Sequence, residues 1–422
     1  MPASAANPLQ NDALGIYISI PFCRSKCTYC NFASGVYPAS QHAVYVDRLL
    51  ADLSRARNSA AEAGAQLPRR VDSIYLGGGT PTLLAPTLLA RIFAALGQHF
   101  DLAPAAEITV ECAPGQLSDA TLEALAQAGV TRVSLGVQSF VDAEAHAVGR
   151  LHTRSQILAD LDRLRAVGIV NLNLDLMAGL PGQTAASWAE SLAELVQTQA
   201  PHASVYMLEI DEDSRLGHEL LSGGSRYRAT QVPDEEVIVE MYETACSTLA
   251  AAGLSQYEIS NFARPGAESR HNLRYWQRRS YLGLGLDAAS MLRADPEGPH
   301  AGQVMRTSAT SDLTAYLAAA PPVESEWLSP ARQHEEAWFL GLRTNQGVAP
   351  AELRKEFGAA QLAPALKAAE TLLAEGLLEQ AQENLRLTPR GRLLSNEVFE
   401  RFLDLEPVSA RLPQKNPQRQ NL

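Results

Sequence analysis

The chain has 422 residues, a net charge of −12 and 46% hydrophobic residues. These values exclude a collagen-like or wholly disordered chain and leave room for two or three domains with a sizeable core, while no uninterrupted apolar run is long enough to span a bilayer. The acidic balance removes the electrostatic basis for nonspecific nucleic-acid binding and for simple adhesion to anionic lipid, although peripheral membrane contact and a homodimer stay open.

Short apolar runs of β character alternate with segments of helical periodicity. The runs are Gly15 to Ile20, Ser73 to Leu76, Glu107 to Glu111, Arg132 to Val137, Asn171 to Met177 and Ser204 to Glu209. Between them, Val44 to Arg57, Pro86 to Leu96, Ser118 to Ala128, Ser155 to Ala166 and Ala186 to Thr198 repeat apolar residues at helical spacing. This alternation predicts a parallel sheet covered by helices, either doubly wound or a complete or partial barrel. In any of these folds the strand C-termini form one rim where ligand-binding groups gather.

The first run leads into Cys23, Cys27 and Cys30, spaced C-x3-C-x2-C. Thiolates favour Fe–S clusters or zinc, and three of them leave one iron of a cubane open for a substrate or cofactor. A zinc knuckle completed by a distant ligand such as His42, or a disulfide with a spare thiol, are the alternatives. With only five cysteines and no basic, apolar leader among the first ten residues, the expectation is a reducing cytoplasm.

Other unusual residues also follow strands. Gly77-Gly78-Gly79-Thr80-Pro81 lets backbone N–H groups approach a ligand, but it lacks the lysine and spacing of a nucleotide-binding P-loop. Glu111 ends the third run, Gln138 lies past the fourth, Arg150 sits in Gly149-Arg150-Leu151-His152, and Asp175 falls within the fifth. Their convergence on one rim would make a polar pocket.

Taken together, these motifs resemble the radical S-adenosylmethionine superfamily, in the branch that joins oxygen-independent coproporphyrinogen III dehydrogenases to the HemW family of heme chaperones. The likeness runs from about Gly15 beyond Arg343 and takes in the Cys loop, Gly77 to Pro81, Glu111, Gly136 to Phe140, Arg150 with His152, and Asn173 to Pro181. It implies a partial (β/α)6 TIM-like barrel in which Cys23, Cys27 and Cys30 hold a [4Fe-4S] cluster. The methionine moiety of S-adenosylmethionine would chelate the open iron, and reductive cleavage would yield a 5′-deoxyadenosyl radical. The family pattern places Tyr17, Tyr29, Gly78, Gly79, Thr80, Glu111, Gln138, Arg150 and Asp175 along the cluster and cofactor.

The dehydrogenases resemble C-x3-C-x2-C-x-C, whereas Phe32 stands at the fourth cysteine's position here and only 22 residues precede Cys23. Both features point to the chaperones, as does His271-Asn272-Leu273-Arg274-Tyr275-Trp276, which is similar to the H-N-x-x-Y-W motif of HemW proteins. That resemblance makes His271 a candidate heme ligand, with Tyr275 and Trp276 offering aromatic surface to a porphyrin; a packed structural corner is the alternative. Two departures stand out: Ala113 in Glu111-Cys112-Ala113-Pro114 replaces the asparagine of E-x-N-P, and Asp287-Ala288-Ala289-Ser290 replaces a G-A-H-S-like run.

The expected organisation is a flexible start (1–14), a barrel (15–215), an extension carrying the His271 motif (216–329), a winged-helix-like α+β domain (330–403) and a disordered tail (404–422). Leu216 to Pro233 reads as a surface loop. The implied function is a heme chaperone that passes heme to an apo-protein acceptor. The alternative is a dehydrogenase that converts two propionates of coproporphyrinogen III to vinyl groups.

Overall fold

The computed structural model describes residues 13–319 and 321–405, so the expected flexible start and disordered tail lie almost wholly outside the described residues. The chain divides into two compact units, one of residues 13–275 and 279–327, the other of residues 276–278 and 328–405.

The first unit is built by strand–helix alternation: β1 (Leu14–Ile20), α1 (Ser40–Glu62), β2 (Arg70–Gly78), α2 (Pro86–His99), β3 (Asp101–Cys112), α3 (Asp119–Gln127), β4 (Arg132–Gln138), α4 (Asp142–Ala147), α5 (Arg154–Ala166), β5 (Asn171–Ala178), α6 (Ala185–Gln197) and β6 (His202–Met207). These six strands lie side by side in chain order and pair parallel. Both faces of β1 are covered: Leu14, Ile16, Ile18 and Ile20 are fully buried on one, and Gly15 and Ser19 are buried on the other. Each such apolar side chain contributes roughly 1.5–3 kcal/mol on burial.

Next come α7 (Arg215–Leu221), α8 (Glu235–Ala251), β7 (Ser255–Gln256), β8 (Asn261–Ala263), α9 (Arg270–Trp276), β9 (Tyr281–Leu284), β10 (Ala289–Arg293), β11 (Val304–Ala309), α10 (Leu313–Tyr316) and β12 (Val323–Leu328). They extend the sheet on both sides, to the order β12-β11-β10-β9-β1-β2-β3-β4-β5-β6-β8-β7. The two outermost strands are not neighbours, so among the described residues the sheet stays open.

The region from Leu216 to Pro233 is not the plain loop expected. It opens within α7, whose Ser214 cap accepts from Gly217 N at 2.9 Å. Gly217 reads as a chain breaker but is required by a close approach, since a Cβ there would collide with the Asp211 carbonyl.

The second unit holds α11 (Pro330–Leu342), α12 (Pro350–Phe357), α13 (Ala359–Ala374), the antiparallel hairpin β13 (Leu378–Ala381) and β14 (Asn384–Leu387), α14 (Pro389–Leu393) and α15 (Ser395–Glu400). Helices followed by a hairpin match the expected winged-helix-like composition. Trp338 stacks on Phe402 at 4.6 Å in its core and donates to His334 Nε2 at 3.0 Å. No helix among the described residues is long and apolar enough to cross a membrane.

Candidate functional site

The cysteine loop leaves β1 and is tied down on two sides. Cys23 N donates to the Gly35 carbonyl at 2.9 Å, and Thr28 N donates to the Val148 carbonyl at 3.0 Å, which anchors the loop to the α4–α5 connection. Ser34 bridges the loop, with its hydroxyl at the Cys23 thiol and 3.9 Å from Cys30 Sγ. All five cysteines are free thiols, which removes the disulfide alternative. Burial raises the Cys23 thiol, although Ser34 opposes the shift.

Among the described residues, no three His, Cys, Asp or Glu side chains converge as a site for a single metal ion. His42 is stacked on Phe22 at 4.1 Å and is held neutral by burial, so it serves as packing for the loop's first turn.

The glycine loop after β2 lies against the start of the cysteine loop. Gly79 N donates to the Ile20 carbonyl and Thr80 N to the Phe22 carbonyl, each at 2.8 Å. A Cβ on Gly79 would stand 2.8 Å from both carbonyl oxygens, so only glycine permits this approach. Gly78 adopts φ +101°, and its N–H donates to Glu111 Oε2 at 3.1 Å.

Glu111 is partly buried, and its other oxygen accepts from Tyr75 at 2.8 Å. Burial pushes its carboxyl up to about 7, against the opposing effect of the Tyr75 bond. Tyr17 packs beside Tyr75 with ring centroids 6.1 Å apart, and burial followed by the Glu111 charge keeps its phenol protonated. Tyr75 went unnoticed in the sequence. Its signal was position, since it stands two residues before Gly77 and therefore on the same face of β2.

Gln138 closes β4 in the left-handed region at φ 67°, where the β4–β5 register shifts between Gly136 and Gln138. A bulge of this kind re-aims a side chain next to a functional site. Gln138 Oε1 is buried without a partner, and so is Arg150 Nε. Arg150 lies over Gly136, where a Cβ would meet its Nη2 at 2.5 Å. Burial works against the Arg150 charge, but Tyr29, Cys27 and Asp175 together hold its pKa above the usual value. Tyr29 thus lies beside both the guanidinium and the cysteine loop, packed against Leu208 and Leu216. Asp175 accepts from Asn173 Nδ2 at 2.7 Å and Ser134 Oγ at 3.3 Å, while burial raises its carboxyl. Neighbouring His152 is pushed down to about 4 by burial and Arg150, and pairs with the Val137 carbonyl at 3.1 Å.

The strand ends thus bring together two carboxylates, a cation, an amide with an unpaired oxygen and a cradle of glycines beside three thiols. Buried polar atoms without partners are costly, so their presence here fits a zwitterionic ligand that would satisfy them. Cys112 is buried, with its thiol pushed up to about 12, and stays a strand neighbour rather than a ligand.

His271 and Tyr275 lie elsewhere. His271 contacts Ser73, four residues before Gly77 on β2, and Glu107, four residues before Glu111 on β3. It is thus anchored four residues down β2 and β3 from Gly77 and Glu111, while its ring lies 5.4 Å from that of Tyr75. Its two ring nitrogens pair with Ser73 Oγ at 3.0 Å and Tyr275 OH at 2.9 Å, and only 1% of the residue is exposed. Trp276 is covered by the Arg343 guanidinium at 4.3 Å from its ring. These residues, as placed, do not fit an axial heme site. Asp287 is exposed at φ 58°.

Residues 17–195 match the Radical SAM superfamily, and residues 328–394 match the HemN C-terminal domain. The heme chaperone HemW of Lactococcus lactis is 33% identical over 390 residues, spanning 92% of this chain and 96% of the relative. Its counterpart from Bacillus subtilis is 34% identical over 390 residues, spanning 92% and 98%. The structure of coproporphyrinogen III oxidase (HemN) from Escherichia coli superposes with a TM-score of 0.78 at 23% identity, covering 94% of this chain and 91% of its own. That likeness establishes the radical S-adenosylmethionine fold expected from the sequence. The chain belongs to the HemW family of heme chaperones within the radical S-adenosylmethionine superfamily.

Proposed function

We propose that this protein is a heme chaperone that carries a [4Fe-4S] cluster on Cys23, Cys27 and Cys30, binds S-adenosylmethionine at the adjoining rim, and passes heme to an apo-protein acceptor. The observation that carries the reading is the full-length likeness to proteins named heme chaperone. Phe32 favours it over the dehydrogenase, because a solvent-facing phenyl group, 63% exposed, stands where the enzymes resemble one another in a fourth cysteine.

The cluster would supply one-electron chemistry next to the sulfonium. The protein's own residues do the remaining work. Glu111 and Asp175 offer negative charge to an ammonium, and Arg150 offers donors to a carboxylate, while the N–H groups of Gly78, Gly79 and Thr80 are already bonded to Glu111, Ile20 and Phe22. Gln138 would use its unpaired oxygen. Tyr17 and Tyr29 would line the pocket and help to exclude water. Free thiols throughout support a reducing, cytoplasmic setting.

The test is a hemin titration of anaerobically reconstituted protein followed at the Soret band, run beside an assay of coproporphyrinogen III with S-adenosylmethionine and a reductant. Saturable, roughly stoichiometric heme binding without vinyl product is expected. Turnover to protoporphyrinogen without specific heme binding would replace this reading with the dehydrogenase, for which the intact cofactor rim is the supporting observation.

A further inference from the structure

The H-N-x-x-Y-W run of α9 is stitched into the middle of β2 and β3, at Ser73 and Glu107. The backbone N–H groups of Arg270 and His271 donate to the two oxygens of Glu107, each at 3.0 Å. Ser73 Oγ is shared between His271 Nδ1 at 3.0 Å and Arg274 Nε at 3.2 Å. Arg274 is fully buried; it donates to the carbonyls of Ala13 at 2.9 Å and Ser280 at 3.0 Å and pairs with Asp72.

The imidazole ring then lies 5.4 Å from the ring of Tyr75, whose hydroxyl donates to Glu111. A continuous chain of contacts therefore runs from the middle of the strands to the carboxylate at the rim.

We propose that His271 is a positioning residue that holds Tyr75, and through it the Glu111 carboxylate, and that it does not ligate heme iron. Iron ligation would require the ring to abandon Ser73 or Tyr275 and to leave an almost fully buried site, stranding polar partners behind it. Burial, with Arg274 and Arg132 nearby, also keeps the ring neutral, its pKa pushed down to about 3, which agrees with a ring fixed by two hydrogen bonds. The inference rests on Glu111 being a cofactor-site carboxylate.

The test compares wild type, H271Q, Y275F, Y75F, the H271Q/Y75F double variant and E111Q as full-length, anaerobically reconstituted chains. Three readouts are taken: hemin binding at the Soret band, S-adenosylmethionine affinity by equilibrium dialysis, and melting temperature. H271Q should bind hemin within about twofold of wild type with an unmoved Soret band, yet bind S-adenosylmethionine about tenfold more weakly. Y75F should weaken cofactor binding similarly, and the double variant should be no weaker than Y75F alone, because both act through one contact.

Y275F keeps the imidazole and serves if H271Q does not fold: it should weaken cofactor binding and leave the Soret band in place. A lost or shifted Soret band in an H271Q protein that keeps its cluster and melting temperature would overturn the proposal. So would normal S-adenosylmethionine affinity in H271Q while E111Q is weakened, which leaves the Glu111 reading intact. Unweakened E111Q would remove the reading and the proposal together. If wild type takes up no hemin, the chaperone reading falls and the cofactor-affinity arm alone decides the positioning role.

Discussion

Tyr75 donates its hydroxyl to Glu111 Oε1 at 2.8 Å while Gly78 N–H reaches Oε2 at 3.1 Å, so the carboxylate is aimed by two groups of β2 before any ligand arrives. Its pKa is raised from 4.5 to about 7, so the folded state binds its proton more tightly than the unfolded state does. The stability this contributes is fully present below pH 4.5 and is lost as pH rises through about 7.

Replacing Glu111 with Gln removes that titration. Without cofactor, the melting temperature of E111Q relative to wild type should climb as pH rises from 5 to 8, while S-adenosylmethionine affinity falls at every pH. Thermal melts across that range check the sign, and a difference independent of pH would refute the burial argument.

Gly79→Ala places a methyl group 2.8 Å from the carbonyls of Ile20 and Phe22, and backbone cannot swing aside as a flexible side chain can. The expected cost is about 1–3 kcal/mol of stability. Displacement of the loop base should also lower iron content after reconstitution. Iron per chain and a denaturant melt measure the two effects.

Gln138 has a strained backbone at φ 67° and an unpaired Oε1. Q138G should relieve the left-handed conformation, leaving the apo-protein as stable or up to ~1 kcal/mol more stable, while weakening S-adenosylmethionine binding. A variant that loses stability and keeps affinity would make Gln138 a structural residue instead.

Much of this arrangement was legible in the sequence because the central strands are buried on both faces. The apolar run Asn171 to Met177 is β5, Asn171–Ala178, and the run that starts at Gly15 is β1, which begins at Leu14. The outer strands were not legible. Gly283 in β9 looks like a turn residue, yet a Cβ there would collide with the Ala289 backbone, so the glycine is required for strand pairing. Ser204 to Glu209 overshot β6, which ends at Met207 where the chain turns into the Leu208 cluster.

In the site, thiol spacing, glycines and charged strand ends were visible because those residue types are unusual where they stand. Tyr75 was not. A strand tyrosine resembles core, and its meeting with Glu111 depends on the parallel β2–β3 register, which pairs Tyr75 with Thr109. His271 shows the reverse, since a motif suggestive of ligand binding proves to be hydrogen-bonded at both ring nitrogens.

Triple substitution of Cys23, Cys27 and Cys30 by alanine should abolish the iron of reconstituted protein, from about four atoms per chain to none, with folding retained by far-UV circular dichroism. Cluster content unchanged in that variant would end the radical S-adenosylmethionine assignment of these thiols.

The most direct measurement is electron paramagnetic resonance of the reduced, reconstituted protein with and without S-adenosylmethionine labelled with nitrogen-15 at its amino group. Shifted g-values and a resolved hyperfine coupling to the label are expected on the proposed reading, in which three thiolates would leave one iron open to the cofactor near Glu111, Gln138 and Arg150. A spectrum indifferent to the cofactor would contradict the open-iron site on which the whole reading stands.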